Sequence, residues 1–119
     1  NVAVLMNEVL GDVEIIPANE FYDFESKYES DKTQYIVDPD YSESVSRERW
    51  KAALELHKVL GCKGVTRSDF IVNENEYIML EINTLPGMTS HSLVPMIAKK
   101  RGIDYVELIE ILINEAING

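Results

Sequence analysis

The stretch Val65-Thr66-Arg67-Ser68-Asp69-Phe70-Ile71-Val72, the polar turn Asn73-Glu74-Asn75-Glu76, and the run Tyr77-Ile78-Met79-Leu80-Glu81-Ile82-Asn83 decide how the rest of the chain is read. Two β-prone runs around a short polar turn form an antiparallel hairpin. Its strongly polar residues, Arg67, Asp69, Glu81 and Asn83, are all odd-numbered, whereas Phe70, Val72, Ile78, Leu80 and Ile82 are even. Side chains alternate faces along a strand, so one face is apolar and the other collects the functional groups. With Asn73–Glu76 as the turn, residues whose numbers add to about 150 lie opposite each other, which sets Asp69 against Glu81 and Arg67 against Asn83. Two carboxylates directly opposite repel unless a cation lies between them. Two carboxylates and an amide oxygen are hard ligands that suit Mg²⁺, and Arg67 beside them suits a phosphate or a developing oxyanion. An exposed face whose charges merely alternate is the competing reading of this pattern taken alone.

Downstream, Asn83-Thr84-Leu85-Pro86-Gly87-Met88-Thr89-Ser90-His91-Ser92-Leu93 leaves that face, turns at Pro86-Gly87 and enters a helix. A helix N-terminus presents unpaired N–H groups and the positive dipole end, a setting for carboxylate or phosphate. Ser92 offers a hydroxyl there or serves only as an N-cap. Gly87 lets the backbone approach a ligand, although a plain turn is the commoner role of such a glycine. The helix carries Pro95 in its first turn and ends at Gly102, with Lys99-Lys100-Arg101 favouring the negative dipole end. A last helix opens on the capping-box pattern Asp104-Tyr105-Val106-Glu107 and is apolar at Leu108, Ile109, Leu112, Ile113 and Ala116.

Upstream, Val2–Met6 reads as a strand covered on both faces and Val13–Ile16 as a second, joined through Leu10-Gly11-Asp12. Residues 18–32, rich in Tyr, Phe and charge, have no clean period and read as a functional loop. Thr33–Val37 is a short strand. Ser42 caps a helix with Glu43 in its first turn, an apolar stripe at Trp50, Ala53, Leu54, His57 and Leu60, and Gly61 as its left-handed stop. His57 lies on that stripe and reads as a core histidine, and Cys62, with no base beside it, reads as structural. Strands, loop, helix, hairpin and two helices make an α+β chain with an antiparallel sheet packed against helices.

The chain has 119 residues, 45% of them hydrophobic, about one domain's worth with ample core. Its net charge is −10 and its pI is near 4.5, which argues against a partner bound through phosphate neutralisation, nucleic acid above all. Residues 1–50 hold 12 acidic and 4 basic side chains, and residues 51–119 hold 9 and 7, so the acidic excess lies in the first half. One cysteine excludes an intrachain disulfide and fits a reducing compartment. No apolar run has the roughly 18 residues of a membrane span, so the expected location is the cytoplasm, away from membranes. The chain opens at Asn1 and runs straight into an apolar strand, which reads as a piece of something longer.

Arg67-Ser68-Asp69 followed by Glu81-Ile82-Asn83-Thr84-Leu85-Pro86-Gly87-Met88-Thr89-Ser90-His91-Ser92-Leu93 resembles the C-terminal signature of the D-alanine–D-alanine ligases, an ATP-grasp family. Phe21-Tyr22-Asp23-Phe24-Glu25-Ser26-Lys27-Tyr28 resembles that family's mobile loop, and Leu60-Gly61-Cys62-Lys63-Gly64 its approach to the metal hairpin. The similarity spans essentially the whole chain, in order. It implies that residues 1–119 are the C-terminal ATP-grasp portion of a longer ligase, with 18–32 as the mobile active-site loop, and without the N-terminal domain or the first part of the ATP-binding region. The activity it implies is ATP-dependent joining of two D-alanines through an acyl phosphate for peptidoglycan precursors, by a homodimer in the complete enzyme. The fragment alone is expected to be inactive.

The same resemblance implies a role for each matched residue. Asp69, Glu81 and Asn83 hold two Mg²⁺ ions, Mn²⁺ being an acceptable substitute, which bridge the phosphates of the co-substrate ATP. Arg67 and the Gly87 N–H stabilise the tetrahedral intermediate. Lys27 reaches the transferred phosphoryl group and the second substrate, and Tyr28 belongs to the closing loop and favours an amine nucleophile. Ser92 and the Leu93 N–H receive the carboxylate of the second D-alanine. Ser68 departs from the family, which usually carries an apolar residue there. Two other readings are another ATP-grasp ligase, either carboxylate–amine or D-alanine–D-lactate, and a non-catalytic metal-binding or interaction module.

Overall fold

The computed structural model describes residues 1–17 and 33–118. The expected loop 18–32, with Lys27 and Tyr28, lies outside the described residues. Val2–Leu5 (β1), Glu8–Ile16 (β2), Gln34–Val37 (β3), Val65–Asn73 (β4) and Glu76–Asn83 (β5) form one antiparallel sheet in the order β3-β2-β1-β4-β5. Three helices follow the expected positions: Glu43–Val59 (α1), Leu93–Lys100 (α2) and Tyr105–Asn118 (α3). The α+β class with helices against an antiparallel sheet is what the chain adopts.

Helices cover both faces of the sheet. Val2 and Val4 point to one side, where they pack with Ala53 of α1, while Ala3 between them joins Leu10, Val13 and Val65 against Val94, Ile97 and Ala98 of α2 and Leu108 of α3. A two-sided strand needs apolar residues at successive positions, which is why Val2–Leu5 shows no alternation. Each fully buried Val, Leu or Ile here contributes roughly 1.5–3 kcal/mol.

The expected β1–β2 connection is corrected by the structure. The chain turns at Met6 and Asn7, both with positive φ (50° and 72°), and Leu10-Gly11-Asp12 lie inside β2. Gly11 is small for a packing reason, since a Cβ there would come 2.6 Å from Cγ2 of the fully buried Ile97. Glycine has two meanings in a strand pattern, turn or close approach, and the second applies.

Helix α1 begins as read: the Ser42 hydroxyl accepts the Val45 N–H at 3.4 Å, and Gly61 beyond its end takes φ +68°. Its buried residues are Val45, Arg49, Ala53 and His57, whereas Leu60, expected in the stripe, is 54% exposed. The i, i+4 series therefore runs one position earlier than Trp50 suggested and takes an arginine into the interior. Pro95 sits in the first turn of α2, where its missing N–H has no intrahelical acceptor to lose. Asp104 caps α3 by accepting the Glu107 N–H at 2.8 Å. Ile113 and Ala116, expected in the apolar stripe of α3, are exposed.

The hairpin has the expected register at its base and a different one at its tip. Arg67 pairs with Asn83, Ser68 with Ile82 and Asp69 with Glu81; a bulge follows, and Phe70 then pairs with Met79, Ile71 with Ile78 and Val72 with Tyr77. Leu80 is the extra residue. Parity on β5 reverses beyond it. Tyr77 and Met79 share the face of Phe70, whose ring meets Tyr77 edge-on at 5.9 Å, while Ile78 and Leu80, expected on the apolar face, are 65% and 59% exposed.

Candidate active site

At the base of the hairpin, alternation divides the chemistry from the packing. Thr66, Ser68 and Phe70 face α1: the Thr66 hydroxyl lies 2.7 Å from Nδ1 of the buried His57, and Phe70 packs with Val2, Val4 and Ala53. Burial lowers the His57 pKa, with the Lys58 charge adding to the effect. Ser68, the residue that departs from the family pattern, is fully buried opposite Val2, and its hydroxyl has no partner among the described residues. Arg67 and Asp69 point the other way, as Ala3, the partner of Arg67, does.

On that face Arg67 grips Asp69 by two bonds, Nε to Oδ1 at 2.9 Å and Nη2 to Oδ2 at 3.1 Å. Glu81 lies across the ladder from Asp69 and is exposed. Asn83 lies across from Arg67, and its Oδ1 accepts the Leu85 N–H at 2.9 Å, an Asx turn that starts the loop toward α2. All four sequence-predicted residues are therefore on one face, in the predicted pairing. Among the described residues no three His, Cys, Asp or Glu side chains gather, so a cation here has two carboxylates and the Asn83 amide to bind. That all-oxygen set fits Mg²⁺, which keeps its other positions for water or phosphate.

The loop after Asn83 is tethered along its length. Pro86 is buried, and the Tyr105 hydroxyl of α3 donates to the Met88 carbonyl at 2.5 Å. The Ser92 N–H bonds the Thr89 carbonyl, and the Ser92 hydroxyl accepts the Thr89 N–H at 3.1 Å and meets the Thr89 hydroxyl at 2.8 Å. Ser92 stands at the N-cap position of α2, but its side chain makes no cap bond to the helix. Of its two readings as cap or hydroxyl donor, the second is the one its geometry leaves open. Gly87 lies beside it, where a Cβ would come 3.0 Å from the Ser92 Oγ. Leu93 opens α2. His91 is exposed, and Arg101, at the other end of the helix, ties α2 to β2 through the Leu10 and Val9 carbonyls at 2.6 and 3.1 Å.

A cavity of about 450 Å³ opens beside the hairpin. Its lining includes Asp69, Ile71 and Leu80 of the hairpin together with Glu14, Tyr41 and Arg49. Burial and the neighbouring Glu14 carboxylate raise the Tyr41 phenol to about 12. The sequence reading missed Leu80 as a wall residue, because a bulge leaves no mark in the residue pattern. It also missed Arg49, for which the spacing Val45, Arg49, Ala53, His57 was an available signal.

Residues 1–114 match the family model described as the D-ala D-ala ligase C-terminus. The D-alanine–D-alanine ligase of Pelagibacter ubique is 46% identical over 116 residues, covering 97% of this chain and 38% of that protein. The ligase of Wolbachia pipientis from Culex pipiens is 45% identical over 119 residues, covering 98% of this chain and 38% of its own length. Among solved structures, the Bacillus anthracis D-alanine–D-alanine ligase superposes with a TM-score of 0.81 at 30% identity, over 98% of this chain and 38% of that one. Its complex with ATP superposes at 0.79 with 26% identity, over 98% and 37%. The chain thus spans about 38% of the length of the curated relatives it matches. By sequence and by fold, this chain belongs to the family of D-alanine–D-alanine ligase C-terminal regions.

Proposed function

We propose that this chain is the C-terminal part of an ATP-dependent D-alanine–D-alanine ligase, acting in the cytoplasm on peptidoglycan precursors and carrying the phosphate-facing and second-substrate part of the active site. The observation that carries the reading is the pairing of Asp69 with Glu81 on the face that also holds Arg67 and Asn83, joined by one short loop to Ser92 and the start of α2. A phosphate-handling face and a carboxylate-binding helix end are thereby contiguous in sequence.

Asp69, Glu81 and Asn83 would hold Mg²⁺, two ions by family resemblance. When bound, the metal neutralises charge on the ATP phosphates. In the first step a carboxylate oxygen of one D-alanine attacks the γ-phosphorus, giving an acyl phosphate and ADP. In the second, the amine of the other D-alanine attacks the acyl carbon, the C–O bond to phosphate breaks, and the amine loses a proton. Negative charge builds on the carbonyl oxygen meanwhile, and Arg67 and the Gly87 N–H are the donors assigned to it, each worth roughly 10²–10³-fold in rate. The Ser92 hydroxyl and the Leu93 N–H, at the positive end of α2, orient the second carboxylate. The Glu14, Tyr41, Ile71 and Leu80 walls of the cavity offer the nucleotide a partly apolar seat. Lys27 and Tyr28, outside the described residues, complete the assignment as the phosphoryl-contacting and closing residues. A homodimer of the complete enzyme belongs to the same reading.

The test is D-alanine-dependent ADP release by the complete ligase, with Asp69→Ala and Glu81→Ala. Both variants are expected to fold and to lose turnover. Retained turnover in either would refute the metal assignment, and a preference for D-lactate over D-alanine at neutral pH would reassign the product.

A further inference from the structure

We infer that Arg49 is a positioning residue, which holds the β4–β5 bulge in place from the opposite face of the sheet and so keeps Asp69 across from Glu81. The inference rests on the metal reading of Asp69, Glu81 and Asn83 given above.

The need for such an anchor follows from the two registers of the hairpin. At the tip the paired numbers add to 149 (Phe70 with Met79), and at the base to 150 (Asp69 with Glu81). Carried on without a bulge, the tip register would put Leu80 opposite Asp69 and Glu81 opposite Ser68. Glu81 would then share the Ser68 face, which α1 covers, and the pair of carboxylates would be lost. A bulge is one extra residue that the ladder itself can accommodate at more than one position. Something outside the ladder has to fix where it falls.

Phe70, the first residue past the bulge, is held from outside. The Arg49 guanidinium lies 5.7 Å from the Phe70 ring centroid and 4.7 Å from that of Tyr41, flanked by two aromatic faces. Its Nη2 is bonded to Asp12 Oδ2 at 2.5 Å, and both side chains are almost wholly buried. Trp50 Nε1 lies 3.5 Å from the same oxygen. The clamp therefore joins α1, β2 and the residue next to Asp69. A planar cation gripping a carboxylate at its end and rings on its faces is a geometry that lysine cannot reproduce. A buried ion pair adds little stability over an apolar substitute of similar shape, so the contribution assigned to this one is the specificity of what it holds.

The experiment uses the complete ligase and measures Mn²⁺ binding by water-proton relaxation, together with melting temperature and the kcat–KM split for D-alanine. Arg49→Met strands the Asp12 charge and is expected to melt early. The double variant Asp12→Asn/Arg49→Met removes both charges and is expected to recover most of that loss, while its Mn²⁺ affinity stays roughly 10- to 100-fold below the parent. Phe70→Leu leaves the ion pair intact and is expected to weaken Mn²⁺ binding as well, with kcat falling more than KM changes. Parent-like Mn²⁺ binding in either the double variant or Phe70→Leu overturns the positioning role. Glu81→Ala serves as the reference: if it binds Mn²⁺ like the parent, the metal reading has failed, separately from the role of Arg49.

Discussion

Gly87 has room for a hydrogen and little more, because a methyl there would sit 3.0 Å from an Oγ already engaged by Thr89. Gly87→Ala in the complete ligase is expected to push the Ser92 hydroxyl off its place. Its signature is a raised KM for the second D-alanine with a melting temperature close to the parent. A fall in kcat as large as the rise in KM would point instead to the Gly87 N–H and its oxyanion role. His57 behaves differently, as a group whose effect is on stability. Its folded pKa lies below the ordinary value of about 6.5, so the unfolded chain takes up the proton first as pH falls. The stability it contributes is complete above about pH 6.5 and is lost as pH drops from there through the lowered folded value. Chemical denaturation at pH 7.5 and 5.5 should show a loss that His57→Gln reduces. An unchanged loss in the variant would assign the acid sensitivity to other groups.

At the scale of elements, the caps and close contacts rank the substitutions. Asp104 accepts its N–H at 2.8 Å and Ser42 at 3.4 Å, so Asp104→Ala should cost about 1 kcal/mol and Ser42→Ala less, measured by urea titration. Gly11→Ala drives a methyl into Ile97 between two packed layers and should cost about 1–3 kcal/mol by the same measurement. These elements also show what the residue pattern can and cannot carry. That Asp69 and Glu81 share a face was legible because parity is local, but their pairing holds only because the bulge changes the register sum from 149 at the tip to 150 at the base. The exposure of Ile78 and Leu80 was not legible, because the bulge that reverses their faces is settled by Phe70 packing against α1. Gly11 was misread for a related reason: the side chain that demands its smallness is Ile97, far along the sequence. Arg49 was overlooked because a charged residue is ordinarily assigned to the solvent face, and Asp12, which neutralises it, lies on another element.

For the whole molecule, the share of the relatives that the chain covers sets the expectation. It matches about 38% of their length, and of the described residues assigned to the chemistry Asp69 alone lines the cavity beside the hairpin. The 119 residues on their own are therefore expected to give no D-alanine-dependent ADP release in a coupled assay, whatever their folded state. Turnover by the isolated polypeptide would mean that the remaining substrate contacts are dispensable. The fold itself needs no such complement to be recognised, since 98% of the chain superposes on the Bacillus anthracis ligase with a TM-score of 0.81.

The extra residue at Leu80 also separates the hairpin into two parts with different freedom to vary. On the near side, every position is committed to a ladder partner and a face. On the far side, Asn73–Glu76 is exposed, and Glu74 already takes a positive φ of 54°. Residues added between Glu74 and Asn75 would extend into solvent, while the clamp at Phe70 keeps the length change from travelling down the strands. The tip is thus a natural place for a lineage to gain or lose residues. It is equally a place to attach a spectroscopic label that rides on the hairpin without crowding the carboxylates at its base.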